Sequence, residues 1–195
     1  MTRTTQDDSR EKKQIELFML KELQGRSNKY IPDASVNIDG VEYFVELKSY
    51  DAERQQVSTA RNVTMHKISL WREVMWVISE YKKTEGGFEF TGEHHLCFPE
   101  DLDPWFKRQE EKLLHGTKTY GGLNDWYAVR QAGTTFGLSQ ELLERVENVL
   151  TKRGGLNDPK ISAPKFKMAG HKLNNNNLAH SLRHLIKNRR TNNGQ

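Results

Sequence analysis

The sequence predicts an α/β (α+β) fold in which a mixed central sheet is flanked by helices. Apolar residues recur at helical spacing near the start, polar and apolar residues alternate around Asp39-Gly40, and two further strand-like segments follow an intervening helix. This order of helix, strands, helix and strand favours one mixed sheet. A chain of 195 residues is long enough to form one domain around a hydrophobic core.

The first element is a predicted amphipathic helix over residues 8–24. Its apolar residues fall on one face, with Glu16 beside them, and Gly25 is the predicted stop. A β-hairpin follows, with strands at 35–38 and 41–48, because Asp-Gly between two alternating segments is a strong signal for a two-residue loop.

The later elements follow from the same periodicities. We expect a helix over 58–72 and then strands over 74–81 and 88–98. Two further helices are predicted at 103–115 and 139–152, where Asp-Pro and Ser are suitable N-terminal caps.

Composition limits the classes of protein to which the chain can belong. The longest uncharged apolar runs are too short for a membrane span, and residues 1–10 are too polar for a secretion signal. The single cysteine, Cys97, excludes an intramolecular disulfide and a cysteine-based zinc site. We therefore expect a soluble cytoplasmic protein with no membrane partner, in which Cys97 is buried and inert.

Charge is unevenly distributed along the chain. Residues 159–195 carry eight lysines or arginines and no acid, so the remaining residues hold 22 basic and 26 acidic side chains. This predicts a main domain over residues 1–170 and a basic tail with a short helix over 171–195. Such a tail favours a polyanionic partner, although many basic tails are simply solvated ends.

Four Glu-x-Lys patterns occur in the chain, and only their position distinguishes them. Glu46 and Lys48 alone lie on a predicted strand, whose period of two directs both side chains to one face. Across a two-residue loop at Asp39-Gly40, the residue opposite Glu46 is Asp33. Asp33, Glu46 and Lys48 are therefore the candidate catalytic residues.

The opposed carboxylates of Asp33 and Glu46 indicate a cation between them. Directly paired side chains have Cβ atoms about 4.5–5.5 Å apart, where like charges repel. Mg²⁺ suits such a site because it takes one or two carboxylates together with waters and phosphate oxygens. Lys48 could orient or deprotonate the attacking water and offset charge on the phosphorane. The competing interpretation is that this face of the hairpin is simply solvated. Phe44, an aromatic residue on the same face, argues against it.

Asp33, the tripeptide Glu46-Leu47-Lys48 and a preceding helix with Glu16 resemble the core of the PD-(D/E)XK nucleases, whose hallmark is this hairpin. More narrowly, the chain is similar to the PvuII-like type II restriction endonucleases. The similarity covers about half of the chain, at residues 42–49, 58–81 and 156–166.

This resemblance implies a restriction-endonuclease-like core and a homodimer that cuts both strands of double-stranded DNA at a short palindrome with Mg²⁺. It assigns the metal to Asp33, Glu46 and Leu47, and it leaves Glu16 as an accessory candidate. An insertion at about 115–153 and the basic tail have no counterpart in the family. By position, DNA contacts are assigned to Ser58, Arg61, Asn62, Asn157 and Lys160.

Two alternatives remain open from the sequence. A junction-resolving nuclease could have the same fold and metal site, because a fold does not fix the substrate. A catalytically inactive DNA-binding protein would instead depend on the basic tail. The intact Asp33, Glu46 and Lys48 count against the inactive protein.

Overall fold

The computed structural model describes residues 6–23, 31–60, 63–119, 137, 139–145, 161 and 163–192. Within these ranges the chain forms a mixed α/β structure, with a six-stranded mixed sheet flanked by helices and a separate two-stranded sheet. This confirms the predicted fold class at that level. In the part of the chain described, no helix is long and apolar enough to cross a membrane.

Helix α1 spans Gln6–Phe18 and is followed by a short strand, β1, at Lys21–Glu22. The predicted continuation of this helix to residue 24 is therefore wrong. Met19 takes a left-handed backbone conformation with φ 50°, and the N–H of Leu20 donates to the carbonyl of Ile15 at 2.9 Å. This combination is a Schellman cap, which ends the helix without a glycine.

The predicted hairpin is present, with strands β2 (Ala34–Ile38) and β3 (Val41–Asp51). The loop residues Asp39 and Gly40 both have positive φ, at 52° and 82°, as two-residue hairpin loops commonly require. The ladder pairs Ala34 with Val45, so the predicted alignment of the strands is confirmed. Asp33 directly precedes the first pair of this ladder, and continuing the same alignment by one residue places it opposite Glu46.

The remaining elements are, in chain order, β4 (Val57–Ser58), α2 (Met65–Trp71), β5 (Met75–Thr84), β6 (Gly87–Cys97), α3 (Asp103–Thr119), β7 (Lys165–Phe166), β8 (His171–Lys172) and α4 (Leu178–Asn192). The large sheet has the strand order β1-β2-β3-β5-β6-β8. Strand β3 is parallel to β5, and the other neighbours in this sheet are antiparallel. Strand β3 therefore lies between a hairpin partner and a parallel partner.

The helix predicted over 58–72 is wrong in its first part. Ser58 belongs to β4, which pairs with the distant strand β7, and the Thr59 hydroxyl donates to the carbonyl of Pro164 at 2.8 Å. Helix α2 begins only after Thr64, whose Oγ1 accepts the N–H of Lys67 at 3.2 Å as an N-terminal cap. Long-range strand pairing thus overrides the local helical periodicity.

The other predicted elements agree with the structure within a few residues. Strands β5 and β6 correspond to the segments 74–81 and 88–98, and α3 corresponds to the helix at 103–115. Ser139 caps a helical segment at residues 140–145 by accepting the N–H of Leu142 on Oγ at 3.3 Å. The predicted extension of that helix to residue 152 lies outside the described residues, as does most of the insertion at 115–153.

Two hydrophobic clusters cover the two faces of the large sheet. The first packs Val45, Leu47, Val77 and Leu96 against Phe18 of α1 and Leu182 and Ile186 of α4. The second packs Trp76, Ile78 and Cys97 against Ile68 and Trp71 of α2 and Trp105 and Phe106 of α3. Because side chains alternate along a strand, Glu46 and Lys48 of β3 face the α2 and α3 side.

Residues 171–192, which the charge distribution set apart, complete this fold. Strand β8 extends the large sheet, and α4 contributes Leu182 and Ile186 to the first cluster. The guanidinium of Arg183 donates to the carbonyls of Phe18 and Met19 at 3.1 and 2.9 Å, which caps the end of α1. Much of the basic segment is therefore part of the folded structure.

Candidate active site

The structure brings the three predicted catalytic side chains together on β3 and just before β2. Lys48 Nζ lies 2.8 Å from Glu46 Oε1 and 3.5 Å from Asp33 Oδ2. The Glu46 and Lys48 side chains are only 4% and 14% exposed. Charged groups are rarely buried to this extent unless they are paired, and these residues pair with one another.

Leu47 contributes main-chain atoms to the site although its side chain lies in the hydrophobic core on the opposite face of the sheet. Its N–H donates to Asp33 Oδ2 at 2.8 Å. Its carbonyl accepts a hydrogen bond from Lys48 Nζ at 2.7 Å. The Leu47 backbone therefore fixes both Asp33 and Lys48.

The Lys48 ammonium occupies a cage of three oxygens, which are the Leu47 carbonyl, Glu46 Oε1 and Asp33 Oδ2. These oxygens belong to the three residues that were expected to hold a metal ion. A cation already stands between the opposed carboxylates, and hard oxygens are the ligands that Mg²⁺ prefers. The residues of the cage therefore fit such an ion.

One of the cage oxygens is a main-chain carbonyl, and this distinguishes the site from clusters of ligating side chains. Across the described ranges, no group of three or more His, Cys, Asp or Glu residues could hold a metal ion. The cage has two carboxylates, Asp33 and Glu46, and completes its set with the Leu47 carbonyl.

The charge state of Lys48 follows from its surroundings. Burial opposes the charged form, but the carboxylates of Asp33 and Glu46 outweigh burial and raise the pKa of Lys48 above its usual value. In this arrangement Lys48 is an ammonium ion, and it acts as a cation and hydrogen-bond donor.

Lys67 of α2 is a second lysine at the site, and the sequence did not single it out. Its Nζ lies 3.8 Å from Glu46 Oε2 and 5.1 Å from the centroid of the Trp71 ring. Burial lowers the pKa of Lys67, and the negative charge of Glu46 opposes this effect only in part. No local pattern marks this residue, because its position depends on how α2 packs against β3.

A cavity of about 230 Å³ opens on these residues. Its charged lining consists of the carboxylates of Asp8, Glu11, Asp33 and Glu46 and the ammonium groups of Lys48 and Lys67. Acidic groups outnumber basic ones, so the cavity attracts cations.

Glu16, the accessory candidate, lies away from this cavity. It is exposed on α1 and lines another cavity, with Lys13 and Phe88. The carboxylates that α1 does bring to the cavity are those of Asp8 and Glu11, and Glu11 lies one turn before the buried Gln14. A polar residue within the apolar face of this helix, at Gln14, was the available sequence signal.

The residues expected to contact DNA are only partly described. Ser58 lines a cavity of about 320 Å³ that also includes Lys48, Arg54 and Tyr81, so it shares a cavity with one of the candidate catalytic residues. Four other residues assigned to DNA contact lie outside the described residues: Arg61, Asn62, Asn157 and Lys160. Their role in base recognition stays a prediction.

Two comparisons with known proteins bear on the family of this chain. The chain matches no model of a protein family. A search of curated proteins likewise gives no match. The site is therefore interpreted from its geometry.

Proposed function

We propose that the chain is a Mg²⁺-dependent DNA endonuclease with a restriction-endonuclease-like PD-(D/E)XK core, and that it acts as a cytoplasmic type II restriction enzyme. The observation that carries this proposal is the oxygen cage of Asp33, Glu46 and the Leu47 carbonyl, which holds the Lys48 ammonium. A cation site beside a buried lysine is suited to the hydrolysis of a phosphodiester.

The position of the cage in the sheet supports the proposed core. Strand β3 carries Glu46 and Lys48 and lies between its hairpin partner β2 and the parallel strand β5. This arrangement fits the hairpin that the resemblance to PD-(D/E)XK nucleases implies. Helices on both sides of the sheet hold β3 in place, so the catalytic side chains project from a rigid element.

The chemistry divides between the ion and the side chains. When held by Asp33, Glu46 and the Leu47 carbonyl, Mg²⁺ would supply Lewis-acid stabilisation of the phosphate and make a water more acidic. Lys48 would leave the cage to admit the ion and would then offset negative charge on the phosphorane. The attacking water would release a proton to solvent as its oxygen bonds to phosphorus, the P–O bond opposite would break, and the released oxygen would take up a proton from solvent.

Cleavage of both strands at a palindrome requires two active sites related by a two-fold axis, so we propose a homodimer. Base recognition is proposed for Ser58, Arg61, Asn62, Asn157 and Lys160. Arginine can pair with guanine and asparagine with adenine in the major groove, and each such pair contributes about 1–3 kcal/mol of discrimination. A monomer in sedimentation, with and without DNA, would count against the restriction-enzyme interpretation.

Digestion of one plasmid tests the proposed function. With Mg²⁺ we expect discrete linear fragments, and with EDTA none. Cleavage of branched DNA alone would instead identify a junction-resolving nuclease. Binding without cleavage would identify a DNA-binding protein whose catalytic site is inactive. Sequencing the fragment ends would locate the scissile phosphate and the recognition site.

A further inference from the structure

The ammonium group of Lys67 is nearly buried, and it forms no hydrogen bond to another residue that the structure describes. Its side chain is 12% exposed, and the carboxylate oxygen with which it forms an ion pair is Glu46 Oε2, at 3.8 Å. That separation is longer than a hydrogen bond. The face of the Trp71 ring offers a further electrostatic contact but no acceptor atom of ordinary strength. An ammonium has three donors, so this position favours an additional anionic partner.

The two lysines of the cavity are held differently. Lys48 directs its donors to the three oxygens of the cage. Lys67 approaches the other side of the same carboxylate, because Glu46 turns Oε1 to Lys48 and Oε2 to Lys67. Among the contacts that the structure describes, Lys67 is therefore the lysine of this cavity whose ammonium can donate to a new ligand without first losing a short hydrogen bond.

Lys67 is also firmly positioned. Its main-chain N–H donates to the capping hydroxyl of Thr64. The neighbouring Ile68 and Trp71 are fully buried in the cluster between α2 and the sheet. Groups on packed helices keep their geometry better than groups on loops, as catalysis requires.

We propose that Lys67 is a second catalytic lysine, which binds a non-bridging oxygen of the scissile phosphate. This role rests on the proposed function, because it requires a phosphodiester to enter the cavity of Asp33, Glu46 and Lys48. Lys67 offsets the negative charge of the phosphate in a cavity whose carboxylates would otherwise repel it. Its contact becomes stronger as charge builds on the phosphorane, so it contributes to the rate of the chemical step.

The decisive experiment compares Lys67→Gln with Lys82→Gln, which removes an exposed lysine on β5. Single-turnover cleavage is measured on the cognate duplex and on its two phosphorothioate diastereomers, each with sulfur replacing one non-bridging oxygen of the scissile phosphate. We expect Lys67→Gln to lower the rate constant roughly 100-fold or more. It should also change the ratio of rates for the two diastereomers, whereas Lys82→Gln should match the wild type in both measurements.

Titration of the DNA-free protein with Mg²⁺ gives a second readout. Removing the positive charge beside Glu46 should increase Mg²⁺ affinity severalfold in Lys67→Gln, because like charges no longer compete for the carboxylate. A merely damaged site would bind Mg²⁺ more weakly. A loss of rate together with a gain of metal affinity is therefore specific to the proposed role.

The outcomes separate this inference from the proposed function. A wild type that cleaves, together with a Lys67→Gln variant of equal rate and unchanged diastereomer ratio, overturns the role of Lys67 alone. A wild type that does not cleave DNA with Mg²⁺ overturns both proposals. If Lys67→Gln does not fold, Lys67→Met replaces it, because an unbranched apolar chain can cover the Trp71 ring without a charge.

Discussion

The Gln14 side chain of α1 donates a hydrogen bond from Nε2 to the backbone carbonyl of Lys48, at 3.0 Å. The same nitrogen lies 2.9 Å from Ser79 Oγ on β5, and that hydroxyl lies 2.8 Å from His94 Nδ1 on β6. Gln14 and Ser79 are fully buried. A buried polar network therefore connects α1 to the strand that carries Lys48.

This network predicts that Gln14→Ala destabilises the fold. Loss of the buried hydrogen bonds should lower the free energy of unfolding by about 1–3 kcal/mol, and the cavity left behind adds to the loss. Urea unfolding followed by circular dichroism measures this. Lys12→Ala, at an exposed position of the same helix, is the matched control and should change stability by less than about 0.5 kcal/mol. Equal midpoints of urea unfolding for the two variants would refute the structural role of Gln14.

Lys48→Ala and Glu46→Ala should each lower cleavage by at least about 100-fold while leaving specific DNA binding largely intact. Both residues belong to the cage and do not face bases in the proposed complex. Mn²⁺ or excess Mg²⁺ should partly restore Glu46→Ala, which lacks a ligand, but should not restore Lys48→Ala. Plasmid cleavage and gel-shift binding measure the two properties.

The other Glu-x-Lys patterns provide controls for these variants. Lys13 lies over the Phe88 ring, and Lys82 pairs with Glu89 on the surface, so neither enters the cage. Lys13→Ala and Lys82→Ala should cut nearly as fast as the wild type. If either control folds but is as inactive as Lys48→Ala, the catalytic residues have been assigned to the wrong Glu-x-Lys pattern.

The β2–β3 hairpin of the candidate site could be predicted from the sequence because its determinants are local. Asp39-Gly40 fixes the loop, the loop fixes the strand alignment, and the alignment places Asp33 opposite Glu46. Each step depends on residues close to one another in the chain.

The parts of the site that escaped prediction depend on distant contacts. Ser58 is in a strand because β7 pairs with it, and β7 lies more than 100 residues later in the chain. Lys67 approaches Glu46 only after α2 packs on the sheet, and Glu11 enters the cavity only because α1 crosses β3. No periodicity within a short window contains this information.

Leu182→Ala should destabilise the protein, because residues 171–192 complete the core. The Leu182 side chain is 0% exposed and lies in the cluster of α1, α4 and the sheet. Truncation of a buried leucine costs about 2–5 kcal/mol. Leu142→Ala is the matched control, since Leu142 is 42% exposed.

Deletion after Gly170 should accordingly unfold the domain, and a deletion variant of unchanged stability would contradict this packing.

Cys97 should be unreactive in the folded protein. Burial, assisted by the negative charge of Asp101, raises the pKa of its thiol to about 12, and Sγ donates to the carbonyl of Ala169 at 3.0 Å. Because the thiolate is the reactive form, a thiol reagent such as dithiobis(nitrobenzoate) at pH 8 should modify the native protein very slowly. In denaturant the same reagent should titrate one thiol per chain at once. Rapid modification of the native protein would mean that the thiol is accessible.

Lys48→Met should bind Mg²⁺ more tightly than the wild type, although it should not cleave DNA. In the wild type an incoming ion must replace the ammonium that lies 2.7 Å from the Leu47 carbonyl and 2.8 Å from Glu46 Oε1. Methionine removes this internal competitor, while Asp33 keeps the N–H of Leu47 and Glu46 keeps Lys67 as a neighbour. We expect at least about a tenfold gain in affinity, which corresponds to about 1.4 kcal/mol.

Calorimetric titration of the DNA-free protein measures this affinity, and thermal unfolding gives an independent reading. Mg²⁺ should raise the midpoint of unfolding more in Lys48→Met than in the wild type, because the ion binds the folded state and relieves the repulsion between the two carboxylates. Glu46→Gln should bind Mg²⁺ more weakly, and Lys82→Met should bind it as the wild type does. A Lys48→Met variant with unchanged or weaker Mg²⁺ binding would show that the ammonium and the metal ion do not share the cage, and Mg²⁺ would then have to bind elsewhere in the cavity.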